Sequence, residues 1–166
     1  YQSFKHRKAK YLNTASLGPS YDSQHIKDQI DKLIDKKKYK VSLCENNEKL
    51  ANIISELIIK KKIIGLFCGK MEFGSRALGN RSLLFDPRVS NGKDIVNQIK
   101  RRENFRPFAG SVLQEEAHKW FNMLSLKESP YMQYAIDAYE NAVEQVPAII
   151  HADNTCRIQT VTQEQN

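Results

Sequence analysis

Cysteine is scarce: the 166 residues hold three, Cys44, Cys68 and Cys156, with no close spacing. Three thiols cannot all pair, and none sits at metal-ligand spacing from another, so neither a disulfide framework nor a zinc site is expected. Their apolar neighbours predict three buried thiols. Long apolar runs are missing too. None reaches the roughly 18 residues of a membrane span, and the basic start is followed by no apolar stretch or cleavage site. A soluble cytoplasmic protein without a membrane partner is expected. No Gly-Lys-Ser/Thr triplet of a Walker A loop is present, nor the dinucleotide fingerprint G-x-G-x-x-G. Internal repeats and low-complexity tracts are absent. The basic stretches have little aromatic interleaving and no RNA-binding motif, which argues against nucleic acid as a partner.

The chain is long enough for one sizeable core, and its 40% hydrophobic content is ordinary for a single globular domain. Its net charge of +7 is unevenly made. Lysines are spread along the chain, with runs at 36–38 and 60–62 that read as solvated helix ends. Six of the eight arginines, Arg76, Arg81, Arg88, Arg101, Arg102 and Arg106, fall within 31 residues. A guanidinium matches phosphate and carboxylate oxygens bidentately, so this clustering is the more site-like signal.

Hydrophobic spacing sets the expected elements. Residues 1–16 read as a linker or the remnant of a preceding domain, and the domain proper as 17–166. Asp22 is the expected N-cap of a helix ending near Lys38, with Ile26, Ile30, Leu33 and Ile34 on one face. Residues 39–44 alternate as a strand, 46–60 repeat the amphipathic helix, and 63–68 form a buried strand closed by Gly69. Strand, helix, strand in that order implies a crossover and a mixed sheet. Further strands are expected at 82–85, 109–113, 131–138 and 157–162, with helices at 92–102 and 115–121.

Chemistry concentrates in residues 69–82, GKMEFGSRALGNRS. Three glycines at five-residue steps let the backbone bend close to a ligand, while Lys70, Arg76 and Arg81 supply cations. That combination suits a phosphate. A second basic cluster follows, from Lys100 to Arg106. Lys100 and Arg101 face different directions on a helix, which marks Arg101 as a solvated charge. Arg106, between Phe105 and Pro107-Phe108, sits in an apolar setting that calls for a ligand or a carboxylate partner. Glu72 and Glu103 are the nearest acids, able either to orient an arginine or to hold magnesium on a polyphosphate. His151, Asp153, Thr155 and Arg157 alternate along a stretch read as extended, which places them on one face.

The segments GKMEFGSRALGNRSLLFDPR, IKRRENFRPFA and HADNTCRIQTV, with LGPSY near the start, resemble the C-terminal domain of O-carbamoyltransferases of the nodulation and antibiotic-tailoring type. The resemblance runs from about Leu17 to Thr162. It implies an α/β, YrdC-like twisted mixed sheet flanked by helices, truncated at its C-terminal end. It also implies a preceding metal-binding, actin-like acceptor domain, without which the chain is incomplete and not competent for full transfer. ATP, with Mg2+, and carbamoyl phosphate are the implied ligands, and carbamoyl-adenylate the implied product, passed on to a sugar or antibiotic hydroxyl.

On this reading Lys70, Arg76 and Arg81 neutralise phosphate oxygens, while Lys100, Arg102 and Arg106 stabilise charge as pyrophosphate leaves. Arg157 joins the binding set. Arg76, Arg106 and His151 are the candidate catalytic residues, His151 by a hydrogen bond to the carbamoyl group or by proton transfer. Ser82 and Ser111 read as hydrogen-bond donors rather than nucleophiles. The chain departs from the family where Ser75 and Gly110 replace prolines and Asn154 replaces a glycine. The alternative function, from another class, is a non-catalytic RNA-binding YrdC-like module, which the overall basicity supports.

Overall fold

Asp22 starts the first helix as expected: its carboxylate accepts from the His25 N–H at 2.7 Å, and α1 spans Ser23–Leu33. A computed structural model describes residues 14–35, 37–44 and 46–163. Most of the expected linker, 1–13, and Lys36 of the first lysine run lie outside the described residues. The helix ends at Leu33 instead of running on to Lys38, because Ile34 already has extended backbone. The strand expected at 39–44 does not form. Asn46 caps α2, Asn47–Ile59, through bonds to the Glu48 and Lys49 amides. Neither helix has a fully buried residue.

Two sheets follow. β1, Ile64–Phe67, pairs antiparallel with β2, Arg81–Leu84, so the glycine-rich segment is the loop of a long hairpin. α3, Gly92–Ile99, leads to β3, Ala109–Leu113, and α4, Ala117–Trp120. The strand expected at 131–138 shrinks to β4, Ala135–Asp137, preceded by Met132 at positive φ. α5, Glu140–Gln145, and a 3-10 turn, Pro147–Ile149, lead to β5, Thr155–Val161. β5 is central, parallel to β3 and antiparallel to β4. The expected mixed α/β sheet is therefore present, but its parallel pair is β3 and β5 rather than two N-terminal strands.

Side-chain alternation along β5 gives the sheet two different faces. Cys156 and Ile158 point into the core with Ala117, Phe121, Met123, Ile136 and Ala142. Arg157 and Gln159 belong to the other face, where the cleft lies. Of the three thiols expected to be buried only Cys156 is; Cys68 is exposed and Cys44 half-buried. Among the described residues no helix is long and apolar enough to cross a membrane.

Candidate functional site

The loop between β1 and β2 is shaped by backbone geometry and by one buried acid. Gly74 and Gly79 take φ of +116° and +119°, a region L side chains rarely enter. Glu72, expected to pair with an arginine or a metal, does neither. Its Oε1 accepts from the backbone N–H groups of Leu78 at 2.8 Å, Asn80 at 2.7 Å and Arg81 at 3.2 Å. Burial raises the pKa of this carboxyl, but the amide donors outweigh burial and hold it below the ordinary glutamate value.

Arg81 faces its own loop. Its guanidinium donates to the carbonyls of Cys68, Gly69 and Asn80, and lies 3.6 Å over the Phe67 ring. Asn80 ties Lys70 and Ser16 to the same base through its amide nitrogen. Neither Arg81 nor Lys70 lines the cleft described next; Arg76 does.

The second basic cluster owes its placement to how α3 ends. Arg101, at φ 49°, is the left-handed residue of a Schellman motif: its N–H donates to Gln98 O at 3.0 Å, and that of Arg102 to Asn97 O at 3.1 Å. The helix thus stops at Ile99, short of the expected Arg102. Beyond it, Asn97 organises the loop from 0% exposure. Its Oδ1 accepts from Arg102 Nε, and its Nδ2 donates to the carbonyls of Asn104 at 3.2 Å and Arg106 at 3.0 Å. The Arg102 guanidinium also lies 4.5 Å over the Phe108 ring. Burial, and then the nearby Arg106 charge, push the Arg102 pKa below the ordinary arginine value.

Arg106 is not enclosed by its aromatic neighbours, as expected from sequence. Its side chain is 52% exposed and pairs through Nε with Glu103 Oε2 at 2.7 Å, and Phe105 is exposed. Both arginines are gripped through Nε, which leaves their terminal nitrogens as further donors.

These elements enclose a cleft of about 820 Å³ between the glycine-rich loop, α3, the loop to β3 and the outer face of β3 and β5. Six cations line it: Arg76, Lys93, Lys100, Arg102, Arg106 and Arg157. The side chains of Arg76, Lys93, Lys100 and Arg157 have no hydrogen bond or ion pair among the described residues. Among the described residues the single lining carboxylate, Asp86, is occupied by the fork of Arg88, at 2.7 Å from Nη2 and 2.8 Å from Nε. That hydrogen bond, against the opposing effect of burial, keeps the Asp86 pKa below the ordinary aspartate value. An apolar floor that includes Phe85, Val96, Trp120 and Ile149 completes the cleft.

Sequence reasoning missed Lys93, Asn97 and Gln159. Gln159 Nε2 donates to Leu78 O at 2.8 Å, and its Oε1 accepts from Ser111 at 3.4 Å, which fastens the loop to the sheet. Ser82 also lines the cleft, and its Oγ accepts from Gly79 N at 3.0 Å.

His151 is placed differently from the expectation. Residues 151–154 form a turn, with Asn154 at φ 60°, so the four polar residues do not alternate along one extended face. Nδ1 of His151 meets Thr155 Oγ1 at 3.0 Å and Nε2 meets Phe108 O at 3.4 Å. Asp153 caps the same turn by accepting from the Thr155 amide and hydroxyl. Only Arg157 of the four lines the cleft.

Magnesium was the implied metal, and the acids nearest the cleft do not fit it. One oxygen of Glu72 is taken by three amides, Glu103 is paired with Arg106 and Asp86 with Arg88. Among the described residues no three His, Cys, Asp or Glu side chains group as metal ligands.

Comparison with known proteins adds an independent observation. Residues 55–166 match the family described as carbamoyltransferase C-terminus. The chain is 42% identical over 124 residues to nodulation protein NolNO of Sinorhizobium fredii, covering 74% of this chain and 18% of that protein. An uncharacterized protein of Methanocaldococcus jannaschii is 39% identical over 95% of this chain and 25% of its own length. Nodulation protein NolO of Bradyrhizobium diazoefficiens is 37% identical over 74% of this chain and 23% of its own. The chain thus spans about a quarter or less of each of these relatives.

Proposed function

The chain belongs to the carbamoyltransferase family, matching its C-terminal part, and from that premise we propose that its cleft binds ATP and carbamoyl phosphate and forms carbamoyl-adenylate. The observation that carries this reading is the set of six cations around a cleft whose one carboxylate is already neutralised by Arg88. Among the six only Arg106 has an ion-pair partner of its own, Glu103, and like charges so gathered repel one another, a cost that a polyanion repays. The apolar floor beside them suits a base or another planar group attached to the phosphates.

The reaction balances as two displacements. Water releases phosphate from carbamoyl phosphate and leaves carbamate; a carbamate oxygen then bonds to the α-phosphorus as the bond to pyrophosphate breaks. The second step brings two anions together, and each step releases one, phosphate and then pyrophosphate. Arg76 and Arg157, whose side chains have no partner among the described residues, are suited to hold phosphate oxygens during the approach. Lys100, Arg102 and Arg106, fixed by the end of α3 and by Asn97, are suited to stabilise the charge that develops on the leaving pyrophosphate. Arg81 serves by shaping the loop, to which Lys70 contributes its backbone carbonyl. His151 supports the Phe108 backbone, and a proton-transfer role for it requires substrate to reach the turn. Transfer to an acceptor hydroxyl falls to another part of the longer polypeptide seen in the relatives.

Calorimetric titration with ATP and with carbamoyl phosphate, together with carbamoyl-phosphate-dependent exchange of pyrophosphate into ATP, tests the reading. Saturable binding and exchange are expected. RNA binding whose affinity falls steeply with salt, without nucleotide binding, would favour the alternative of an RNA-binding module suggested by the net charge.

A further inference from the structure

Only two acids are buried among the described residues, Glu72 at 8% and Asp86 at 3% exposure, and Asp86 is committed to Arg88. Glu72 has no such counter-charge. One of its oxygens receives three backbone N–H groups from residues six, eight and nine positions ahead, which closes residues 72–81 into a ring. Ser75, Arg76 and Ala77 lie within that ring and line the cleft. Since the Arg76 side chain has no partner among the described residues, its position depends on the backbone that carries it.

The ring is gripped again at one of the same residues. The Leu78 N–H goes to Glu72 and the Leu78 C=O accepts from Gln159, two residues along β5 from Arg157. The negative charge of Glu72 works against any anion held nearby, so its contribution is to geometry and not to the field.

We propose that Glu72 is a positioning residue, which by closing this ring sets where Arg76 meets the bound phosphate. The proposal rests on the cleft binding a phosphate-bearing anion. It makes a distinction that electrostatics alone does not. Removing the charge but keeping an acceptor oxygen, as in Glu72→Gln, should leave affinity close to wild type. Withdrawing the oxygen should lower affinity even when the charge is kept, as in Glu72→Asp, one methylene shorter.

The test is calorimetric titration of the chain with inorganic pyrophosphate, well below its melting temperature. We expect Glu72→Ala and Glu72→Asp to bind about tenfold more weakly, a loss of the size expected for one charge-assisted hydrogen bond. In an Arg76→Ala background the same changes should add less than about a twofold loss, because the residue acts through Arg76. Glu72→Asp serves alone where Glu72→Ala does not fold. Binding that weakens on Arg76→Ala but not on Glu72→Asp overturns this proposal and leaves the reading of the cleft intact. So does a Glu72 effect that persists in full without Arg76. Wild-type protein that binds no pyrophosphate overturns both.

Discussion

Asn97 offers the sharpest test of how the basic cluster is held, since one fully buried amide serves three partners drawn from both sides of the turn after α3. Asn97→Ala removes all three bonds. The one to the charged Arg102 is worth roughly 1.5–3 kcal/mol and the two to carbonyls roughly 0.5–1.5 kcal/mol each. Asn104 and Arg106 are exposed residues, so water replaces part of what their carbonyls lose. We therefore expect a total loss of about 2–4 kcal/mol, which in a domain of this size lowers the melting temperature by roughly 4–16 °C.

Thermal unfolding followed by circular dichroism reads the first effect. Pyrophosphate titration, well below the melting point of the variant, reads the second, a weaker grip on the anion once Arg102 and Arg106 are released. Asn97→Asp sharpens the comparison. It keeps volume and an acceptor for Arg102 but turns an oxygen toward two carbonyl oxygens, so it too should be destabilised. A melting point within about 2 °C of wild type for Asn97→Ala would refute the energetic reasoning. Lowered stability with unchanged affinity would refute the link between Asn97 and the site.

Four further outcomes are expected. Arg101→Gly should raise stability by about 0.5–1 kcal/mol, measured by urea denaturation, because φ of 49° suits glycine; Arg101→Ala should leave anion binding unchanged while Arg106→Ala, at the cleft, weakens it about tenfold. Glu72 and Asp86 both have pKa values lowered by folding, so their contribution to stability is fully present above the ordinary carboxylate range and is lost as pH falls through the lowered values; acid denaturation of Glu72→Gln should show a shallower dependence below about pH 4.5. Burial pushes the Cys156 thiol up to about 11, so a thiol reagent at neutral pH should label exposed Cys68 in the native protein and reach Cys156 only on unfolding.

The parts of the fold written in local chemistry were legible in the sequence. Asp22 and Asn46 as caps, the glycine-rich loop and β3 at residues 109–113 follow from spacing and turn residues. The errors lie where longer-range geometry decides. Residues 39–44 alternate like a strand but find no partner strand, and alternation alone does not supply one. The end of α3 was misplaced because arginine, not glycine, occupies the left-handed position. Arg81 read as a ligand because its charge is visible in sequence, whereas the carbonyls it binds are not. Asn97 and Gln159 carried little signal. An uncharged amide reveals its role only through the groups around it, although the buried face of α3, with Val96 beside Asn97, marks a polar residue where packing is close.

The pairing of β3 with β5 also orders events in time. Ala109 meets Arg157, 48 positions further along the chain, and Gln159 reaches back 81 positions to Leu78. The contacts of Glu72, by contrast, span fewer than ten. A growing polypeptide can therefore close the loop that carries Arg76 soon after its glycines emerge. The opposite wall waits, because the strand bearing Arg157 is made after both of its neighbours and must insert between them. Closing so long a connection is slow compared with forming a local turn. Until β5 arrives, the outer faces of β3 and β4 have no central strand between them, and a stalled chain that ends before Thr155 leaves two unpaired edges exposed to aggregation.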